Sequence, residues 1–239
     1  MGLTIHYNLR SSARSPKTAR ELLARLRSRA LDLPFEQVED IIELSGPACD
    51  YQQYGQDHPN RWLLIQAGQS VDDPVHEGCS YRVTPSHLIA FSTWPGKGCE
   101  EANFGLCRYP GLIKVEDPYV HGRNRSIRTR LSGWCWGSFC KTQYASNSEC
   151  GGLPNFLRCH LSVIRMLDKA KELGILESVS DEGEFWEKRD VEALAREVGL
   201  WNKMIAAWAA QLKDEFGDEM VSAIAKFPDF EHLAAAGRR

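Results

Sequence analysis

The N-terminal segment changes hydrophobic period once, and that change limits the fold more than any other feature of the chain. Leu3, Ile5, Tyr7 and Leu9 alternate with Thr4, His6, Asn8 and Arg10, a period of two that predicts a strand with one buried face. Ser15 and Pro16 then supply an N-cap and a first-turn proline. Ala19, Leu22, Leu23, Leu26 and Ala30 recur at helical spacing, so a helix is expected over about 16–31. The apolar stripe of such a helix must cover the apolar face of a sheet or of other helices.

Residues 38–44, 62–67 and 87–94 are short apolar runs suited to strands, the last ended by Pro95-Gly96. Residues 45–60 and 68–84 read as loops, and 103–109 as an extended segment before Pro110-Gly111. After residue 152 the pattern turns helical. Pro154 opens a helix carrying Phe156, Leu157, Leu161, Ile164, Leu167 and Ala170, with Gly174 as its stop. Val191, Leu194, Val198, Trp201, Ile205, Trp208 and Leu212 form one narrow seam on a further helix. Shorter helices are expected after Asp218 and Asp229. The order β-α-β, then mostly β, then helix predicts an α+β fold: a mixed or antiparallel sheet with helices packed on one face and a mainly helical C-terminal part.

At about 100–200 residues per domain, 239 residues allow one domain or two joined halves. No linker-like stretch or fixed-period repeat separates them, so one compact domain over 1–239 is expected. The alternative division is a sheet-rich half, 1–118, and a hairpin-plus-helical half, 119–239. No apolar run approaches the roughly 18–20 residues of a bilayer span, and MGLTIHYNLRSSARS lacks a signal-peptide core. The expectation is a soluble, cytoplasmic chain without membrane association, its eight cysteines reduced.

The net charge of -3 hides blocks of opposite sign. Segments 1–32, 33–118, 119–148 and 149–239 carry +5, -8, +5 and -5. Between Asp117 and Glu149 there is no acidic side chain, and this stretch holds Arg123, Arg125, Arg128, Arg130, Trp134, Trp136, Lys141, Gln143 and Tyr144. Gly137-Ser138, flanked by strand-forming residues, reads as a two-residue type II′ hairpin turn. That register puts Arg130, Ser132, Trp134, Trp136, Phe139, Lys141 and Gln143 on one face. Cations and rings on one surface suit a nucleic acid or nucleotide-like anion, the cations meeting phosphates and the rings stacking on bases.

The same register sets Cys135 beside Cys140, with Cys150, Cys159 and His160 downstream, a donor set from which a zinc site and a zinc-dependent enzyme could be built. The spacing C-x4-C-x9-C-x8-C-H follows no standard zinc signature, and a continuous strand through Gly137 would turn Cys135 and Cys140 to opposite faces. His160 lies mid-arc on its helix and also reads as a hydrogen-bonded core histidine. Asp181, Glu182, Glu184 and Glu187 offer carboxylates for acid-base work, or simply favourable charge at a helix start. Pro95-Gly96-Lys97-Gly98 lacks a phosphate-loop pattern and reads as a turn. Three functions follow: a binding protein for a nucleotide-like anion, an enzyme built on the 135–160 thiols and His160, or a protein-interaction module using the 191–212 helix.

Overall fold

A computed structural model describes residues 3–216 and 222–238. The opening alternation becomes β1 (Thr4–Ser11), with Ile5, Tyr7 and Leu9 buried and His6, Asn8 and Arg10 exposed. Helix α1 (Pro16–Leu31) starts where expected: the Ser15 hydroxyl accepts from the Thr18 N–H at 3.2 Å. Its Ala19, Leu23, Leu26 and Ala30 are fully buried.

The run 38–44 is two short strands, β2 (Gln37–Val38) and β3 (Ile42–Ser45), rather than one. The run 62–67 is not a strand but part of helix α2 (Pro59–Ala67). The start signal is His58-Pro59: the His58 Nδ1 accepts from the Asn60 N–H at 3.1 Å, and the proline occupies the first turn. The expected loop at 68–84 contains an antiparallel ribbon, β4 (Gln69–Asp72) with β5 (Ser80–Val83). Strands β6 (His87–Trp94) and β7 (Ala102–Arg108) match the expected extended segments. A second ribbon pairs β8 (Leu112–Glu116) with β9 (Asn124–Arg128).

The expected hairpin at Gly137-Ser138 does not form. Trp134–Lys141 is one continuous strand, β10, paired with β1 along its whole length from Ser11↔Trp134 to Thr4↔Lys141. Gly137 is not among the glycines at positive φ, so no turn conformation is present there. It lies opposite Asn8, whose Oδ1 would sit 3.0 Å from a Cβ at this position. The glycine serves close side-chain approach.

Helix α3 (Gly152–Glu172) ends before Gly174, which takes φ +71°, and β11 (Leu176–Asp181) follows as an edge strand. After a single turn, α4 (Phe185–Lys188), come α5 (Val191–Phe216) and α6 (Phe230–Gly237). Asp218 itself lies outside the described residues; of the segment after it, Ala223–Lys226 form one short 3-10 helix. The main sheet runs β11-β1-β10-β7-β6-β2, with β3 also on β6, and its pairings are antiparallel. The fold is therefore α+β with a helical C-terminal part. No helix among the described residues is long and apolar enough to cross a membrane.

The principal core joins β1, β6, β7 and β10 to α1 and α3, with Trp134, Trp136, Tyr7, Phe91 and Phe104 among its largest members. The α5 seam divides. Leu194 and Val198 pack with Leu3 and Phe156, whereas Ile205 joins Phe227, Phe230 and Leu233 around α6. His160 is the core histidine its helical position suggested. Its Nδ1 is 2.9 Å from the Thr142 hydroxyl and its Nε2 is 3.2 Å from Asp181.

Two measurements follow. Trp136→Ala empties a fully packed site and lowers unfolding free energy by about 3–5 kcal/mol, whereas Phe139→Ala in the same strand, half exposed, changes it by about 0.5 kcal/mol. Urea midpoints with similar losses for both would contradict the buried setting of Trp136. For Asp181, burial pushes the carboxyl pKa up, but the hydrogen bond to His160 and those from the Gly183 and Trp186 N–H groups outweigh it and hold it below the ordinary value. A carboxyl depressed on folding stabilises above its unfolded pKa of about 3.9, and that stability fades as pH falls through the folded value. The stability gap between wild type and Asp181→Asn therefore narrows below about pH 4, as urea titrations at pH 7 and pH 3 would reveal; a constant gap would contradict it.

Candidate functional site

The basic and aromatic residues of 119–148 are not gathered on one face. Trp134 and Trp136 are 0% and 1% exposed. Trp136 donates its indole N–H to the Asn103 carbonyl at 2.8 Å, while Trp134 Nε1 has no hydrogen-bond partner among the described residues. Arg125 is neutralised internally: its guanidinium forms two hydrogen bonds to the fully buried Asp73 carboxylate, at 2.8 and 3.0 Å, with Asp117 at 4.0 Å. This fork holds the Asp73 carboxyl well below the usual carboxylate range. Gln143 is buried and structural, accepting from the Leu3 N–H and donating to Asn202. The Lys141 ammonium sits 4.6 Å from the Tyr144 ring centre. Arg123, Arg128 and Arg130 are exposed and form no ion pair among the described residues.

The thiols read as metal donors are divided by the same strand. Cys135 pairs with Arg10 and Cys140 with Ile5, and those β1 residues point to opposite faces. No group of three or more His, Cys, Asp or Glu side chains that could hold a metal occurs among the described residues. The zinc arrangement from Cys135, Cys140, Cys150, Cys159 and His160 is thus not assembled, because its premise was the hairpin. The acidic run is occupied too. Asp181 accepts from two backbone N–H groups at the start of α4, Glu182 accepts from the Thr4 N–H at 2.8 Å, and Glu184 pairs with Lys188.

A different set of residues lines the principal cleft, an open cavity of about 860 Å³ between α2, β1 and β10. Its polar lining is carboxamide-rich: Asn8 from β1, Gln66 from α2, Gln69 from β4 and Asn103 from β7, with the Ser138 hydroxyl. Three of these groups are joined by one chain of hydrogen bonds, and Asn8 Nδ2 donates separately to the Ser178 hydroxyl at 2.9 Å. Asn103 Nδ2 donates to Gln66 Oε1 at 2.9 Å, and Gln66 Nε2 donates to Ser138 Oγ at 2.8 Å. The Asn103 Oδ1 is buried without a partner among the described residues.

The cleft wall bears two exposed rings, Trp62 (63%) and Phe139 (43%), and His6, whose ring centre lies 5.8 Å from that of Phe139. Its charged lining is Glu100, Glu101 and Arg82, the last lying across Gly68 and donating to the Ile65 carbonyl. The lining is therefore neutral to acidic, and a phosphate gains little inside it.

The sequence reading placed Asn8 and His6 on the polar face of the first strand but attached no role to them. Gln66 and Asn103 sit inside runs that read as apolar and extended, where local pattern assigns them no role. A polar amide interrupting an otherwise apolar segment was the one available signal, since a buried amide needs partners. No protein family model, characterised protein or solved structure matches the chain.

Proposed function

We propose that the protein binds a nucleotide-like ligand, holding the base in the cleft between α2, β1 and β10. The supporting observation is that exposed Trp62 and Phe139 share the cleft with the carboxamides of Asn8, Gln66, Gln69 and Asn103, of which Gln66 and Asn103 are hydrogen-bonded to each other. Each carboxamide offers a donor and an acceptor in one plane, the complement of a base edge, while the indole offers a stacking face. The anionic part of the ligand stays outside the cleft. Strand β4 leads from Gln69 in the cleft to Ser70, Val71 and Asp72, which line a groove with Arg128 and Arg130. At about 3.3 Å per residue this groove begins within roughly 10 Å of Gln69. Asp73 in that groove is already neutralised by Arg125, which leaves Arg128 and Arg130 as the cations for a phosphate.

Calorimetric titration with adenosine, cytidine, their 5′-monophosphates and ribose 5-phosphate tests this reading. Base stacking contributes about 1–3 kcal/mol, so Trp62→Ala lowers nucleoside affinity about tenfold or more, and Gln66→Ala does the same through the lost edge contact. The Arg128→Ala/Arg130→Ala pair weakens monophosphate binding and flattens its salt dependence, with nucleoside affinity unchanged. Ribose 5-phosphate binding as tightly as a nucleotide would exclude base recognition, as would wild-type nucleoside affinity in Trp62→Ala.

A second surface supports the protein-contact reading of α5. Leu200, Met204 and Trp208 recur four residues apart and are 59%, 48% and 49% exposed, forming a short apolar stripe on one helix face. If it joins copies of the chain, sedimentation shows a concentration-dependent dimer that Trp208→Glu abolishes. A monomer at all concentrations would rule out self-association.

A further inference from the structure

Helices α1 and α3 pack against each other and run antiparallel: Leu33, just past the end of α1, sits with Arg165, whereas Arg25 sits with Leu173 at the end of α3. Two adjoining grooves of about 580 and 400 Å³ lie where they meet. Five cations line these grooves, Arg25 and Arg29 from α1 and Arg165, Lys169 and Lys171 from α3. The carboxylates among the lining residues are Asp168 and Glu172, and both are occupied. Glu172 pairs with Lys169 at 2.8 Å, and Asp168 accepts two hydrogen bonds from the Arg189 guanidinium, at 2.8 and 2.9 Å. Arg29 has Asp32 at 4.0 Å, with both side chains more than half exposed. Arg25, Arg165 and Lys171 are exposed and form no ion pair among the described residues.

Helix electrostatics accounts for only part of this set. Arg29, Lys169 and Lys171 stand in last turns, where a cation suits the helix dipole. Arg25 and Arg165 lie more than a turn inside their helices, beyond the reach of that effect. Each also stands four residues before a second cation, Arg25 before Arg29 and Arg165 before Lys169, a spacing at which like charges repel. Folding therefore leaves two short cationic rows, each about 6 Å long, on helices whose axes are about 8–10 Å apart.

We infer that this surface binds the phosphodiester backbone of a single-stranded nucleic acid without reading its sequence. Arginine is the residue suited to phosphate, because its planar fork takes two oxygens at once. No exposed large apolar side chain lines either groove, so a protein partner finds no apolar centre there, and charged residues are depleted from such centres. A flat bilayer meets the rims of a recess and not its floor. A duplex, whose major groove alone is about 12 Å wide, also rides on the rims, whereas one strand enters. Ser28 is the one neutral polar residue of the lining, which leaves base edges almost nothing to contact. No residue of these grooves lines the cleft between α2, β1 and β10, so this site stands independently of any ligand held there.

Fluorescence anisotropy with a labelled oligothymidylate of about 20 nucleotides, titrated at 50 to 200 mM salt, tests the assignment. The Trp62→Ala background removes base stacking in the cleft. With Arg25, Arg29, Arg165 and Lys171 each meeting a phosphate, the logarithm of the affinity falls against that of salt with a slope of about -2.8, roughly a fiftyfold loss over this range. Arg25→Ala/Arg165→Ala halves the slope to about -1.4 and weakens binding about tenfold or more at the lowest salt, with the circular dichroism melt unchanged. Arg25→Lys/Arg165→Lys keeps the slope, because the number of charges is the same. In the wild-type background the alanine pair leaves nucleoside binding in the cleft as it was, so failure of either site is seen separately. Wild-type affinity and slope in the alanine pair would overturn the inference. So would oligothymidylate binding that is lost in Arg128→Ala/Arg130→Ala instead, or tighter binding at equal salt to duplex DNA, polyglutamate or phosphatidylserine vesicles.

Discussion

One carbonyl oxygen ties the interior of this protein to its cleft. The Asn103 main-chain oxygen accepts from the Tyr7 hydroxyl and from the Trp136 indole N–H, both at 2.8 Å. A carbonyl has two lone pairs, and here two of the largest buried side chains use them. Tyrosine and tryptophan bring large apolar area into a core only if their polar atoms find partners there. Asn103 meets that requirement for β1 and β10 together, so the three strands are fixed by rings and by hydrogen bonds at a single point. The carboxamide of the same residue begins the chain through Gln66 to Ser138. The cleft amides are therefore oriented by the packing beneath them.

That arrangement also explains why the middle of the chain misled a reading from local pattern. Gly-Ser between strand-forming residues has the chemistry of a two-residue turn, and nothing within the segment distinguishes a reversal from a straight strand. The distinction is tertiary. β1 offers eight residues of pairing to a straight β10, and Asn8 fills the space that a side chain at Gly137 would need. Once β10 runs straight, the indoles turn inward and Cys135 and Cys140 separate. Where the pattern was long and capped, it translated directly: β1 from alternation, α1 from Ser15-Pro16, α3 from its apolar arc and Gly174. α2 escapes a pattern reading because a six-residue run with five apolar members carries no resolvable period, and its start signal, His58-Pro59, falls in a stretch that reads as a loop.

The charge blocks followed a similar course. Much of the first basic block meets acids elsewhere in the molecule: Arg10 with Glu177, Arg20 with Glu43, Arg27 with Asp40. In the second block, Arg125 is taken up by Asp73. Segment charges locate surplus along the chain but not across the surface, because antiparallel pairing returns distant segments to contact. What survives of the second block as exposed cation without an ion pair among the described residues includes Arg123 and, where β9 leaves its ribbon, Arg128 and Arg130.

The residues of the cleft were invisible for a related reason: their roles are relational. Asn8, Gln66, Gln69 and Asn103 come from four separate elements, and no two of them share a motif. Two of them, Asn103 and Gln66, constrain each other's orientation. Gln66 uses its oxygen on Asn103 and its nitrogen on Ser138, so neither amide can flip without breaking a bond to its neighbour. The Ser138 oxygen, accepting from Gln66, keeps its own proton to donate. Under the proposed nucleotide reading, a surface preset in this way would discriminate by the order of donors and acceptors on the ligand edge. Selectivity would then depend on the core as much as on the cleft, since loosening Trp136 or Tyr7 frees the strand from which Asn103 begins the series.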